Sequence, residues 1–209
     1  LNAVSTPDHY PVPHVQDLAA QLHGAQVFSK LDLVRGYHQV PVAPDDTHKT
    51  AIVTPFGLYE FVCMPFGLRN AGQTFQRMMD CVLRGLPRVF VYVDDVLIAS
   101  NSLSQHLEDL TAVFQRLQSH GLLLRREKCR FGQTSIEFLG HLVDRSGLKP
   151  LSSKSKAVSN FPLPDNTRQL RTFLGMVNYY HRFLSNAASC LQPLNELCKK
   201  RANSTIQWT

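Results

Sequence analysis

The spacing of apolar positions changes several times along this chain, and each change predicts an element. From Arg88 to Ala99, two blocks of β-branched and aromatic residues flank the adjacent Asp94 and Asp95. Such blocks favour strands, and a connection of about two residues between them predicts a tight hairpin. From Val27 to Val40 an apolar stretch interrupted by Asp32 predicts a strand lying beside that hairpin. Elsewhere the period is helical: Asn70 stands as a candidate cap, Phe75, Met78, Met79 and Val82 follow at helical spacing, and Gly85 and Pro87 end the run. Leu107, Leu110, Val113, Phe114 and Leu117 predict an amphipathic helix over Ser104 to His120, closed by Gly121. Ile136 to Val143 alternates like a hairpin strand, with Gly140 as a close backbone approach or a bulge. Leu151 to about Thr167, rich in Ser, Pro and Asn, predicts a poorly packed helix plus a loop and marks a subdomain boundary. A last stripe, Leu170, Phe173, Leu174, Val177, Tyr180 and Phe183, is again helical. The sum is an α+β fold, an antiparallel sheet backed by helices and followed by a helical region.

Two adjacent carboxylates between strand-forming blocks repel each other and resist desolvation. The usual relief is a cation, and hard carboxylate oxygens suit Mg²⁺ or Mn²⁺. The competing reading is a solvated turn in which the two Asp side chains cap backbone amides. Asp32, among apolar neighbours, offers a third acidic group, and acids converging from two strand segments are what a two-metal phosphoryl-transfer site requires.

Bulk properties narrow the partners. A net charge of +6 and a pI near 9.2 favour a polyanion, either nucleic acid or an acidic membrane surface. Arg125, Arg126, Lys128 and Arg130 cluster around Cys129, as a solvated face or as phosphate contacts. Cys63, Cys81, Cys129, Cys190 and Cys198 lack metal-ligand spacing, so a reduced compartment without a zinc site is expected. No stretch approaches the roughly 18 apolar residues of a membrane span, and the first residues lack the regions of a signal peptide, so neither membrane insertion nor secretion is expected.

The strings FSKLDLVRGYHQV at 28 to 40, KTAIVTPFGLYEFVCMPFGLRNA at 49 to 71, YVDDVLIAS at 92 to 100, FLGHLV at 138 to 143 and LRTFLGMVNYYHRF at 170 to 183 resemble successive blocks of a reverse transcriptase from a gypsy-type LTR retrotransposon. Order and spacing agree along nearly the whole chain. The resemblance implies an antiparallel palm sheet with a ferredoxin-like core over 1–150, and a thumb- or connection-like helical region over 151–209. It implies an RNA-directed DNA polymerase that adds dNTPs to a primer 3′-hydroxyl on an RNA or DNA template-primer duplex, using two Mg²⁺ or Mn²⁺ ions.

By the same resemblance Asp32, Asp94 and Asp95 are the catalytic, metal-binding carboxylates, with Asp95 contributing least to direct coordination, and the Leu33 carbonyl is a further metal ligand. Arg35, Gly36, Tyr37, Phe66 and Gly67 line the nucleotide pocket, the Tyr37 ring standing where it would block a ribose 2′-hydroxyl. From spacing alone Tyr37 reads equally as a core residue of the strand face, and Phe66-Gly67 as a simple turn. Tyr92, Val93, Phe138, Leu139, Gly140 and His141 contact primer and template. Gly72-Gln73 departs from the family's Pro and small residue, which predicts a looser helix start.

In the family a basic fingers hairpin precedes Leu1, and a ribonuclease H domain follows Thr205 to Thr209, so the chain is expected to be a fragment of a pol polyprotein. An intracellular setting is expected, in cytoplasm, virus-like particle or nucleus. Nothing in the sequence sets the oligomeric state. Two other functions fit the residues: a nucleic-acid-binding remnant without turnover, and a different palm-type, metal-dependent nucleotidyl transferase or cyclase.

Overall fold

The computed structural model describes residues 1–198, 205, 206 and 208; Gln207 and Thr209 of the C-terminal motif lie outside the described residues. In chain order the elements are α1 (Val15–Gln21), β1 (Val27–Asp32), β2 (Ile52–Thr54), β3 (Gly57–Tyr59), α2 (Ala71–Val82), β4 (Val89–Tyr92), β5 (Asp95–Ser100), α3 (Leu103–Ser119), β6 (Arg130–Gln133), β7 (Ser135–Phe138), β8 (His141–Asp144), β9 (Gly147–Pro150), α4 (Ser152–Ser159), α5 (Thr167–Tyr179) and α6 (Ala187–Leu197). They form two compact units: Leu1–Leu139 with Val143–Gly147, and Gly140–Leu142 with Leu148–Thr209.

The first unit is built on an antiparallel sheet in the order β4-β5-β1-β6. Register fixes its two faces. Asp32 pairs with Asp95 and Lys30 with Leu97, so these four share one face, while Leu31, Val96 and Ile98 share the other. The latter face packs on Phe75, Met79 and Val82 of α2 and on Leu110, Val113 and Leu117 of α3. Phe75 and Met79 are fully buried, and each contributes about 1.5–3 kcal/mol of transfer free energy toward fixing α2 against the sheet.

Behind the sheet runs a polar chain, buried at Ser29, Ser100 and His106 and partly exposed at Arg88. Arg88 forms a two-pronged pair with Asp109, the Ser100 hydroxyl donates to Asp109 at 2.6 Å, and His106 lies between Ser100 and Ser29. Because the Ser100 hydrogen goes to Asp109, His106 Nδ1–H must donate to Ser100, which leaves Nε2 to accept from Ser29 at 2.6 Å. Ser29 Oγ in turn accepts from the Gly132 amide, tying β1 to β6. Burial lowers the pKa of His106, with a smaller opposing contribution from Asp109.

Several local expectations are corrected. Asn70 precedes α2 without capping it by its side chain, because Oδ1 accepts from the Asp8 amide and Nδ2 donates to the Thr6 carbonyl. The α3 cap is Ser102, which accepts from the Gln105 amide, and the buried stripe is His106, Leu110, Val113 and Leu117, with Leu107 and Phe114 turned out. The strand bearing Asp32 ends there, and residues 36–39 form one 3-10 turn. Tyr180 lies just past α5, and Phe183 follows in a 3-10 turn. The hairpin β2–β3 is a separate two-stranded sheet whose side chains are largely exposed.

Strands β7, β8 and β9 form a three-stranded sheet in that order. In the second unit, Leu170, Leu174 and Ile206 form a small core with Phe173, Leu191, Leu194 and Leu197. Asn166 caps α5 by accepting from the Gln169 amide at 3.0 Å. The Ser-rich helix α4 buries none of its residues.

Candidate active site

The turn from β4 to β5 consists of Val93 and Asp94, closed by the Tyr92–Asp95 pair. Val93 has φ +50°, a left-handed conformation that a β-branched residue adopts only when its surroundings enforce it. The enforcing group is the amide of Gln76, fully buried in α2. Its Oε1 accepts from Val93 N–H at 2.7 Å, and its Nε2 donates to the Val91 carbonyl at 3.1 Å and to Asp80 at 2.9 Å. Helix α2 thus grips the backbone on both sides of Tyr92, at the entry to the turn that carries Asp94.

The three carboxylates differ sharply in what they meet. Asp94 Oδ1 is buried and has no hydrogen-bond partner. Its pKa is raised first by burial and then by the negative charges of Asp32 and Asp95. Room for it exists because residue 36 is glycine: a Cβ there would collide with Asp94 Oδ1 and lie 2.9 Å from Phe75 Cζ. Asp95 pairs with Lys30 at 2.8 Å, and Asp32 has the exposed Lys128 ammonium 3.9 Å away. The Arg125 amide donates to the Asp32 carbonyl at 2.8 Å, and Leu33 bridges to Leu124, holding the 125–130 basic segment along this end of β1.

Around Asp94 opens a hollow of about 500 Å³ lined by Arg35, Gly36, Tyr37, His38 and Phe66. Arg35 is left-handed, φ +47°, and starts the 3-10 turn that carries Tyr37. The Tyr37 ring meets Phe75 edge-on at 5.5 Å, and its pKa is raised by burial first and Asp94 second. Phe66 is 78% exposed, and its ring stands 6.3 Å from that of His38. Gly67 has φ +86°, as a turn requires, and its carbonyl accepts from Asn2.

The remaining sequence-predicted residues are divided. Tyr92 ends β4 and Val93 lies in the Asp94 turn. Phe138 is buried against Phe90, ring centres 5.9 Å apart, with the Lys30 ammonium 5.7 Å from its own centroid. Leu139 and Gly140 connect β7 to β8 with φ +47° and +74°, so Gly140 belongs to a two-residue turn rather than a bulge. Gly140 and His141 belong to the second unit. There the Gly140 carbonyl accepts from the Tyr180 hydroxyl, and His141 stacks on Tyr179 and accepts from Arg182 at 2.9 Å.

Two contributors escaped the sequence pattern, Gln76 and Lys30. The available signals were a Gln next to Phe75 on a strongly apolar helix face and a Lys within a strand of buried neighbours.

A divalent cation fits the donors present. A buried, partnerless carboxylate oxygen beside two further carboxylates is the environment that a hard cation relieves. Among the described residues no three His, Cys, Asp or Glu side chains already converge as a ligand cluster. Nor is any helix among them long and apolar enough to cross a membrane.

Comparison with known proteins gives a consistent picture. A family model described as reverse transcriptase (RNA-dependent DNA polymerase) matches residues 1–143. The chain is 40% identical over 209 residues to the retrovirus-related Pol polyprotein from transposon 297 of Drosophila melanogaster, covering 99% of this chain and 20% of that one. It is 39% identical over 201 residues to the Pol polyprotein from transposon gypsy of the same organism, covering 95% and 19%. The chain therefore spans about a fifth of the length of the curated relatives it matches. Its fold is similar to the foamy viral protease-reverse transcriptase solved with double-stranded DNA (TM-score 0.90, 24% identity, 100% of this chain and 37% of that one). The same viral protein solved with an RNA/DNA hybrid gives a TM-score of 0.84 at 24% identity, covering 100% and 28%.

Proposed function

This chain belongs to the reverse transcriptase family, which is generally metal-dependent, and on that premise we propose that it is the catalytic core of a retrotransposon RNA-directed DNA polymerase. The observation that carries the proposal is the buried, partnerless Oδ1 of the half-buried Asp94, flanked by Asp32 and Asp95 beside an open hollow. In this reading residues 1–150, which take in the whole first unit, are the palm, and 151–209 is a thumb- or connection-like region. The two divalent ions, Mg²⁺ or Mn²⁺, supply acidification of the primer 3′-hydroxyl and charge compensation at the triphosphate when bound. Asp32 and Asp94 would hold them, with Asp95 and the Leu33 carbonyl in support.

The chain's own residues do the positioning. Gln76 fixes the Val93 turn and so aims Asp94 at the reacting phosphate. Gly36 admits that carboxylate where any side chain would expel it. Tyr37 forms a wall of the hollow, held edge-on by Phe75, where it would exclude a 2′-hydroxyl and so select dNTPs. Arg35 and Phe66 would contact the incoming nucleotide beside it, and Gly67 lets the chain turn past it. Tyr92, Val93 and the Phe138–His141 segment would bear on the template-primer duplex, RNA or DNA, with the Arg125–Arg130 basic segment adding salt-dependent phosphate contacts. Work on an intracellular template, in cytoplasm, virus-like particle or nucleus, accords with this chemistry.

The test is extension of an oligo(dT) primer on poly(rA) with dTTP and Mg²⁺ or Mn²⁺, comparing the chain with Asp94→Asn. Incorporation that the substitution abolishes supports the proposal. Salt-sensitive hybrid binding without incorporation would replace it with a duplex-binding role, and template-independent turnover with another palm-type transferase.

A further inference from the structure

Lys30 lies two residues before Asp32 on β1, on the sheet face it shares with Asp32 and Asp95, and its ammonium contacts Asp95 at 2.8 Å. We propose that Lys30 is the built-in counterion of Asp95, a positioning residue that holds this carboxylate back to a supporting role and leaves Asp32 and Asp94 as the principal ligands of the divalent cations. The inference rests on the polymerase reading above and adds to it the device that makes two neighbouring aspartates unequal.

Three observations carry it. First, the pair is sheltered: the side chains of Lys30 and Asp95 are 24% and 27% exposed, and the Lys30 ammonium also stands 5.7 Å from the centroid of the buried Phe138 ring. Water and salt therefore screen this pair less than an open surface pair. Second, the neighbouring cations do not share the task. Arg130, opposite Lys30 on β6, turns its guanidinium to the carbonyls of Glu127 and Cys129. Lys128 approaches Asp32 only to 3.9 Å and is 57% exposed, so an arriving ion displaces it easily. Third, Asp94 Oδ1 meets no donor at all.

A cation entering the site thus finds one carboxylate without a partner, one loosely attended and one closely paired. The Lys30 charge also offsets one of three negative charges, which lowers the site's affinity for divalent ions until a nucleotide brings further oxygens.

The experiment is Mn²⁺ binding to the 209-residue chain without nucleotide, read from loss of the free-ion EPR signal. Lys30→Gln is expected to bind Mn²⁺ about tenfold more tightly, the scale of one unit charge removed at near-surface dielectric. Lys30→Arg should behave as wild type. Asp95→Asn alone leaves the Lys30 charge uncompensated and should bind Mn²⁺ more weakly than wild type, whereas the same change added to Lys30→Gln removes a neutral pair and should bring affinity back to about the wild-type value.

Unchanged affinity in Lys30→Gln, or a gain that survives Asp95→Asn, overturns the proposal. Should Lys30→Gln melt below the working temperature, Lys30→Met carries the same expectation. Asp94→Asn separates the two levels: if it binds Mn²⁺ as wild type does, the metal reading itself fails. If it loses binding while Lys30→Gln is silent, only the counterion role fails.

Discussion

Replacing Gln76 by Met keeps the length of the side chain and removes its amide. Val93 N–H then loses an acceptor at 2.7 Å and the Val91 carbonyl a donor at 3.1 Å, while Asp80 keeps the Tyr10 hydroxyl at 2.7 Å. A buried polar group left unpaired costs roughly 1–3 kcal/mol, so the two backbone groups together predict a loss of about 2–4 kcal/mol once the better burial of Met is credited. The Gln76 amide also restrains the left-handed Val93, a conformation strained by about 1–3 kcal/mol. Released, the turn relaxes and carries Asp94 with it, and a displacement of about 1 Å costs on the order of 100-fold in rate. Urea unfolding reads the first quantity, and primer extension per folded molecule reads the second. Gln76→Glu separates them, because its carboxylate still accepts from Val93 N–H but cannot donate to Val91 and faces Asp80. It should be destabilised like the Met variant and retain much more activity. A Met variant that is destabilised yet extends primers at the wild-type rate per folded molecule would refute the clamp.

Two further outcomes are expected. Gly36→Ala places a Cβ into Asp94 and against Phe75, so overpacking should cost about 1–3 kcal/mol in urea unfolding and primer extension should fall steeply. His106 is held neutral between Ser29 and Ser100 with its pKa lowered by burial, so below the unfolded value near 6.5 the unfolded chain takes up a proton that the folded chain refuses. Stability should therefore be full above about pH 6.5 and decline as the pH falls toward the folded pKa, and His106→Gln should flatten that part of the pH profile.

Much of the sheet was legible because its information is local. The blocks around Asp94 and Asp95 pair with each other across two residues, and Asp32 falls on the adjacent strand, although the apolar pattern runs on to Val40 and the strand stops at Asp32. What escaped was fixed by distant partners. Asn70 is a good capping residue whose side chain is taken by Thr6 and Asp8, more than sixty positions away. The apolar stripe on α3 could have faced inward through Leu107 and Phe114; His106 bonding to Ser29 and Ser100 selects the neighbouring face. Gln76 and Lys30 look like ordinary polar residues until the register of β1, β4 and β5 is known. The site carboxylates were thus readable from charge in an apolar setting, whereas the groups that aim and balance them were not.

The hairpin β2–β3 has consequences for handling the protein. Its strands pair only with each other among the described residues, so both outer edges offer unpaired backbone donors and acceptors. Val53 is 87% exposed and Phe56 88%, with Leu58, Val62 and Phe66 also open to solvent nearby. Two copies can add strand to strand there and cover apolar surface at once, so concentrated samples should self-associate through this hairpin, and a lysine at position 53 should keep them dispersed.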